Sequence, residues 1–283
     1  MKKAIIIIIS SMLPILTWGQ AQINTKRVKI GDFTQKITKV VLSGNDFLDS
    51  SLREEVTGRW RVSPYEFCTV EEFDKLKVSD EYYFLITTSG QFKKESEPSL
   101  QFLTLVKGGP GASEGIGKML EVVSLPIASA KYPSGRELIF LPAFLDIIQN
   151  YAVDSMNNDF NAYSGLGKYT ANISRTGKMR IVFSENDVCE NLTDLDKDML
   201  FDEDMFVTEE DEADSYLTEN AGETLVSYIA APTDAQPGAL CYKMLIDTQN
   251  HKLYYFKKHR VSKNKGACFL KNDLRRIHST HTR

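Results

Sequence analysis

The residues of this chain that could do chemistry are few and scattered. Cys68, Cys189, Cys241 and Cys268 could pair, ligate a metal or supply a nucleophile. No two have metal-ligand spacing, and no histidine stands near any of them in sequence. His251, His259, His278 and His281 all fall toward the C-terminal end, on a hairpin turn, a basic strand end and the tail, a poor arrangement for thiol catalysis. Residues 108–117, GGPGASEGIG, suggest a phosphate cradle. However, Gly117-Lys118 has Ala112 and Met119 where a P-loop needs glycine and Ser or Thr. The stretch also joins two strand-like segments, so no helix N-terminus would face a phosphate. It reads as a mobile hairpin loop that could form a binding lip. Asp194, Asp196 and Asp198 alternate as in a calcium loop, but Met199 and Met205 replace its glycine and its bidentate Glu. They read as a solvated acidic face. No metal, cofactor or catalytic residue is assigned.

The elements that must position these residues come in two copies. Residues 39–88 return in degraded form at 180–231, roughly 140 residues later. In the first copy Ile37, Val40, Val41 and Leu42 predict a strand, and Leu48, Leu52 and Val56 recur at helical spacing. Trp60, Val62, Tyr65 and Phe67 give a second extended segment, which Pro64 places near a sheet edge. Thr69 and Glu72 form a capping box for a short helix, and residues 82–88 form a third strand. Two more strands flank the glycine-rich loop, and a helix over residues 138–152 carries Pro142 in its first turn. The second copy repeats this order, from Ile181-Val182-Phe183 to the closing FLKNDLRRI that answers FLPAFLDII. The expected fold is therefore α/β (α+β), a tandem duplication of a β-α-β-α-β-β-β-α unit, each a mixed sheet with helices packed on it. The units span residues 22–156 and 178–283, joined by a connection at 157–177, with a lead-in strand expected near 28–30.

The duplication weighs the conspicuous residues. Asp46 and Asp187 fall at helix starts, where a carboxylate satisfies free backbone N–H groups, and Thr208 with Asp211 repeats Thr69 with Glu72. These read as caps. The counterparts of the cysteines are Val207, Leu48, Leu100 and approximately Ile139, all apolar, which favours buried thiols. A disulfide within the second unit, involving Cys189 or Cys241, is the other reading. What the first unit has and its twin lacks is Trp60, Pro64 and Tyr65, aromatic and rigid. These three are the candidate ligand- or partner-binding residues.

At SLREEVTGRWRVSPYEFCTVEEFDKLK and YKMLIDTQNHKLYYFKKH the chain resembles a group of secreted two-repeat α/β proteins of the Bacteroidetes, a likeness running through most of its length. That family brings no activity with it. More remotely, a helix, Arg59-Trp60-Arg61-Val62 and a short helix resemble the order of elements in periplasmic accessory domains of the curli-secretion and TolB N-terminal type. This likeness implies a topology and carries no site residue.

Residues 1–21 read as a secretory signal: Lys2 and Lys3, an apolar run from Ala4 to Leu16, then Gly19 and Ala21. Without it the net charge moves from -4 to -6, which gives no support for nucleic-acid binding. Nothing later is long and apolar enough to span a membrane. Charge in the second unit is divided, acidic over 185–214 and basic over 257–276, so it could pair internally, between copies in a homo-oligomer, or with an acidic partner. The expected function is an exported, non-enzymatic envelope binding or adaptor protein, periplasmic or extracellular, whose partner is an envelope protein or polymer. The alternative is a hydrolase of envelope or dietary polymers with a site in one repeat only. A buried cluster of ionisable side chains in one unit and absent from its twin would favour the hydrolase.

Overall fold

The computed structural model describes residues 26–92, 95–177 and 179–281. The leader expected at 1–21 lies outside the described residues. In place of the strand expected near 28–30 stands one helical turn, α1 (Lys26–Lys29). Ile30 is buried while Val28 is exposed, and residues two apart would share a face in a strand.

The first unit runs β1 (Ile37–Val41), α2 (Asp46–Arg59), β2 (Tyr65–Cys68), α3 (Val70–Leu76), β3 (Tyr82–Gly90), β4 (Leu100–Lys107), β5 (Leu120–Ser129), a helical turn α4 (Arg136–Ile139) and α5 (Leu141–Asn157). After α6 (Asp159–Ser164) the second unit runs β6 (Arg180–Ser184), α7 (Asp194–Leu200), β7 (Met205–Thr208), α8 (Glu210–Thr218), β8 (Thr224–Ala230), β9 (Leu240–Asp247), β10 (Leu253–Arg260) and α9 (Lys271–His281). Both units have the expected element order.

Each unit forms a five-stranded mixed sheet, β2-β1-β3-β4-β5 in the first and β7-β6-β8-β9-β10 in the second. The first three strands of each are parallel and the last two antiparallel. Parallel neighbours need crossovers, which α2 and α3 supply in one unit and α7 and α8 in the other. The caps differ from expectation. Asn45, not Asp46, accepts from Leu48 N at the start of α2, and α8 begins after Glu209 with no side-chain cap. Thr69 and Glu72 do form the capping box of α3, and Thr193 with Asp196 forms another on α7.

Leu103 faces Leu125 and Leu105 faces Val123 in the first sheet, and Lys243 faces Lys257 and Leu245 faces Tyr255 in the second. Phe84, Ile86 and Val106 lie on the face of the first sheet that carries α3, and Val226, Tyr228 and Ile246 on the face of the second that carries α8. This second face is treated differently in the two units. In the second unit Val226, Tyr228 and Ile246 join the main core beside Phe140 and Phe144 of the first unit. In the first unit the same face is closed by the glycine-rich loop, whose Ala112 and Met119 are buried against Phe84, Ile86 and Val106. The expected mobile lip is thus a packed cap of two short 3-10 turns. Gly108 makes that approach feasible, because a Cβ there would lie 2.1 Å from the Ser79 carbonyl oxygen.

Helix α5 is apolar nearly all round and is buried accordingly, from Leu141 and Phe144 to Tyr151 and Ala152. The main core joins it to side chains of both sheets, with Val182, Val226 and Met244 on the far side. The connection beyond α6 is a 3-10 segment, Leu166–Arg175, that covers the β10 edge. There Thr170 Oγ1 donates to Phe256 O at 2.7 Å, and Asn172 Nδ2 donates to Leu253 O at 3.1 Å.

Cys189 and Cys268 form a disulfide, their Cα atoms 5.2 Å apart, which corrects the preference for four unpaired thiols. The two halves stand on segments brought side by side by a parallel bridge between Val188 and Phe269, which repeat alignment does not reveal. Cys68 and Cys241 are free and buried, as expected. Among the described residues no helix is long and apolar enough to cross a membrane.

Candidate functional site

The connections between β3 and β4 and between β8 and β9 occupy the same place in the two repeats, and they form opposite walls of a cleft of about 550 Å³. Both carry proline, hydroxyl and acidic residues instead of a tight turn. The first wall contributes Glu95, Glu97, Pro98 and Ser99, the second Pro232, Asp234 and Pro237, and Ser129, Lys131 and Arg260 complete the lining.

Each wall is held from behind. Ser99 N donates to Gly90 O at 3.0 Å, and Ala130 N donates to Ser99 O at 3.0 Å, which ties the first wall to the end of β5. Gly238, at φ +104°, turns the second wall so that its N–H reaches Val261 O at 2.8 Å, and Arg260 Nη1 donates to Gly238 O at 2.8 Å. The units are latched where the walls meet. Thr233 N donates to Ser129 Oγ at 3.3 Å, and Thr233 Oγ1 donates to Tyr132 O at 2.8 Å.

Behind this latch Arg136 anchors the segment carrying Lys131 and Tyr132. Its Nε donates to Asp214 Oδ2 at 2.8 Å, its Nη1 to Asp187 Oδ1 at 3.0 Å and its Nη2 to Ser227 O at 3.0 Å. The guanidinium also lies 5.1 Å from the Phe140 ring centre and 5.2 Å from that of Tyr228. Burial opposes its charge, but the carboxylates of Asp187 and Asp214 outweigh that and hold its pKa above the ordinary value. With Glu210 also near, three carboxylates share one cation. Burial therefore raises the pKa of both Asp187 and Asp214 even though Arg136 opposes it. Asp187, expected to cap a helix, instead ends a 3-10 turn and joins the units.

Two oxygens of the first wall have no hydrogen-bond partner among the described residues. Glu95 Oε1 and Ser99 Oγ are buried and unbonded, although Glu95 Oε2 accepts from Phe92 N at 2.9 Å. Such atoms are costly unless something else satisfies them.

The residues singled out in the sequence lie elsewhere. Trp60 is 1 % exposed, its Nε1 donating to Ser63 Oγ at 3.0 Å and its ring edge-on to Phe33. Its ring is core. Pro64 is exposed and Tyr65 half-buried against Phe67 at the β2 edge, so any recognition there falls to those two. Residues 111–115 match Gly-x-Ser-x-Gly around Ser113, a spacing that sequence reasoning passed over. Ser113 lies in a 3-10 turn, not a strand-to-helix elbow, and its hydroxyl donates to Pro110 O at 2.8 Å. Ser262 and Lys265, spaced as Ser-x-x-Lys, pair through their backbones in a turn. No group of metal-ligating residues is present among the described residues.

One buried ionisable cluster does exist in a single unit. Lys243 and Lys257 both donate to Asp273, as does Tyr255 Oη at 3.0 Å. The face of the first sheet that packs on its closing helix carries Leu103, Leu125 and Val123, and Phe144 stands in that helix where Asp273 stands in the second, so the equivalent region of the first unit is apolar. Burial opposes ionisation of Asp273, but the two lysines prevail and bring its pKa down to about 2. Burial lowers the pKa of Lys243 despite Asp273, since two cations share one anion. Lys243 and Asp273 are closed off from solvent, which leaves a substrate no access.

Comparison of the chain with protein families, curated proteins and solved structures finds no match.

Proposed function

We propose that this is an exported, non-enzymatic binding protein whose ligand occupies the cleft between the two repeats. The observation that carries the reading is the cleft itself: a cavity of ligand size at the unit boundary, with two unpartnered oxygens on one wall. Export rests on the signal-like residues 1–21, and the Cys189–Cys268 disulfide is compatible with it. The likeness to secreted Bacteroidetes proteins supports the same reading. A thermal-shift screen of peptides, sugars and small acids against the protein from residue 22 onward tests it. A hit should stabilise the protein and lose most of that effect in Arg260→Ala. A hit whose effect survives that substitution, or no hit at all, would count against the cleft.

The hydrolase reading has one observation in its favour, the Lys243–Asp273–Lys257 cluster confined to one unit. Its enclosure argues for a packing role. Turnover on a broad hydrolase panel, abolished by Lys243→Met in a protein that still folds, would reverse the order of the two readings.

A further inference from the structure

The cleft carries charges of both signs that form no ion pair among the described residues. Lys131 rests on the Tyr132 ring, and Arg260 donates only to a backbone carbonyl; among the described residues neither has a carboxylate within ion-pair distance. On the first wall, among the described residues, Glu95 and Glu97 have no cationic partner and Glu95 keeps one buried oxygen without a donor. The first wall thus asks for hydrogen-bond donors and positive charge, while Lys131 and Arg260 ask for acceptors and negative charge.

Between them three prolines break up an otherwise polar lining. Pro98 stands on one wall, and Pro232 and Pro237 on the other. Prolines present fixed apolar faces and no backbone N–H. Ser99 and Ser129 add hydroxyl groups along the floor, that of Ser99 unbonded. A cavity of about 550 Å³ falls within the range that encloses a drug-sized molecule. It is roomy for a single amino acid.

We infer that the ligand is a short peptide with free termini, its ammonium group toward Glu95 and Glu97 and its carboxylate toward Lys131 and Arg260. This rests on the cleft being the binding site. A neutral sugar would supply donors for Glu95 but leave both cations unused. A simple anion would use the cations and leave the Glu95 oxygen unsatisfied. A zwitterion several residues long answers both ends, and charge-assisted hydrogen bonds at its termini are the strong kind.

The test is amide-resolved NMR titration of the protein from residue 22 onward. The probes are a tripeptide pool of varied side chains, the same pool N-acetylated, the same pool C-amidated, and an oligosaccharide mixture. The free pool should shift signals from residues 95–99, 131 and 233–239. Either cap should weaken binding about tenfold, as expected for one lost charge-assisted contact. In Lys131→Ala/Arg260→Ala amidation should no longer matter, while acetylation still does. Capped and free pools binding alike would overturn the inference, and oligosaccharides shifting the cleft signals while peptides do not would overturn it but leave the cleft standing. If no probe moves those signals, both inference and site fall.

Discussion

Arg136 of the first repeat meets Asp187 of the second with Nη1 3.0 Å from Oδ1, and both side chains are buried. The contact joins the units behind the cleft. Arg136→Met should therefore destabilise the protein by about 3–5 kcal/mol, because it strands Asp187 and Asp214 without their cation. Urea unfolding measures this. Adding Asp187→Asn and Asp214→Asn should recover part of the loss, and an additive triple variant would contradict the coupling.

The Lys243–Asp273 pair should be replaceable by what its twin carries. Lys243→Leu alone leaves Asp273 buried beside Lys257, and should cost about 3 kcal/mol. Lys243→Leu with Asp273→Phe makes this region apolar, as the equivalent region of the first unit is, and should cost less than the single change. A double variant less stable than the single one would show that the two sites are not interchangeable.

The same pair sets a pH dependence. Asp273 titrates at about 2 in the folded protein, below the ordinary carboxylate value of about 4. A depressed carboxylate contributes stability that is present above the unfolded value and lost as pH falls through the folded one. The window is therefore about pH 4 to 2, and the contribution about 2–3 kcal/mol. Asp187 and Asp214, whose pKa values are raised, act with the opposite sign and above this window, gaining stability as pH falls toward about 4. Stability of the double variant should fall less steeply than wild type across that window in pH-resolved denaturation.

The disulfide spans a sequence separation of 79 and should contribute about 4 kcal/mol by constraining the unfolded chain. It also holds the segment carrying Asp187, whose carbonyl accepts from Phe269 N at 2.7 Å. Reduction should lower the melting temperature. Burial pushes the Cys68 thiol up to about 11 and that of Cys241 up to about 12, so neither should react in the native protein. Thiol titration should find none native, two after unfolding and four after unfolding with reduction.

The glycine-rich loop should behave as a cap. Replacing residues 109–118 with an Asn-Gly turn uncovers Phe84, Ile86 and Val106, on the face whose equivalent in the second unit packs on the first. Light scattering should show concentration-dependent association. A monomeric variant would leave the loop without that role. Gly108→Ala should destabilise the intact protein, since its Cβ would meet backbone.

The strand and helix order of both repeats was legible because periodicity, turns and caps are local and each repeat checked the other. The box at Thr69 and Glu72 and the edge position of the Pro64 segment are local in the same sense. What a corresponding residue does is not local. Asp46 is exposed at the start of α2, while Asp187, which matches it in the sequence alignment, is buried under an arginine from the other unit. Trp60 looked like a recognition residue because rigidity and aromaticity are visible in sequence, whereas burial depends on Phe33 arriving from another segment. Cys189 and Cys268 could not be paired from alignment, since their meeting depends on the segment before α9 running beside the one that follows β6. The sequence by itself determined two copies of one α/β unit. Only the tertiary structure decided that one sheet face is capped and its twin docked, and where the cleft lies, because each depends on side chains far apart in the chain that packing alone brings together.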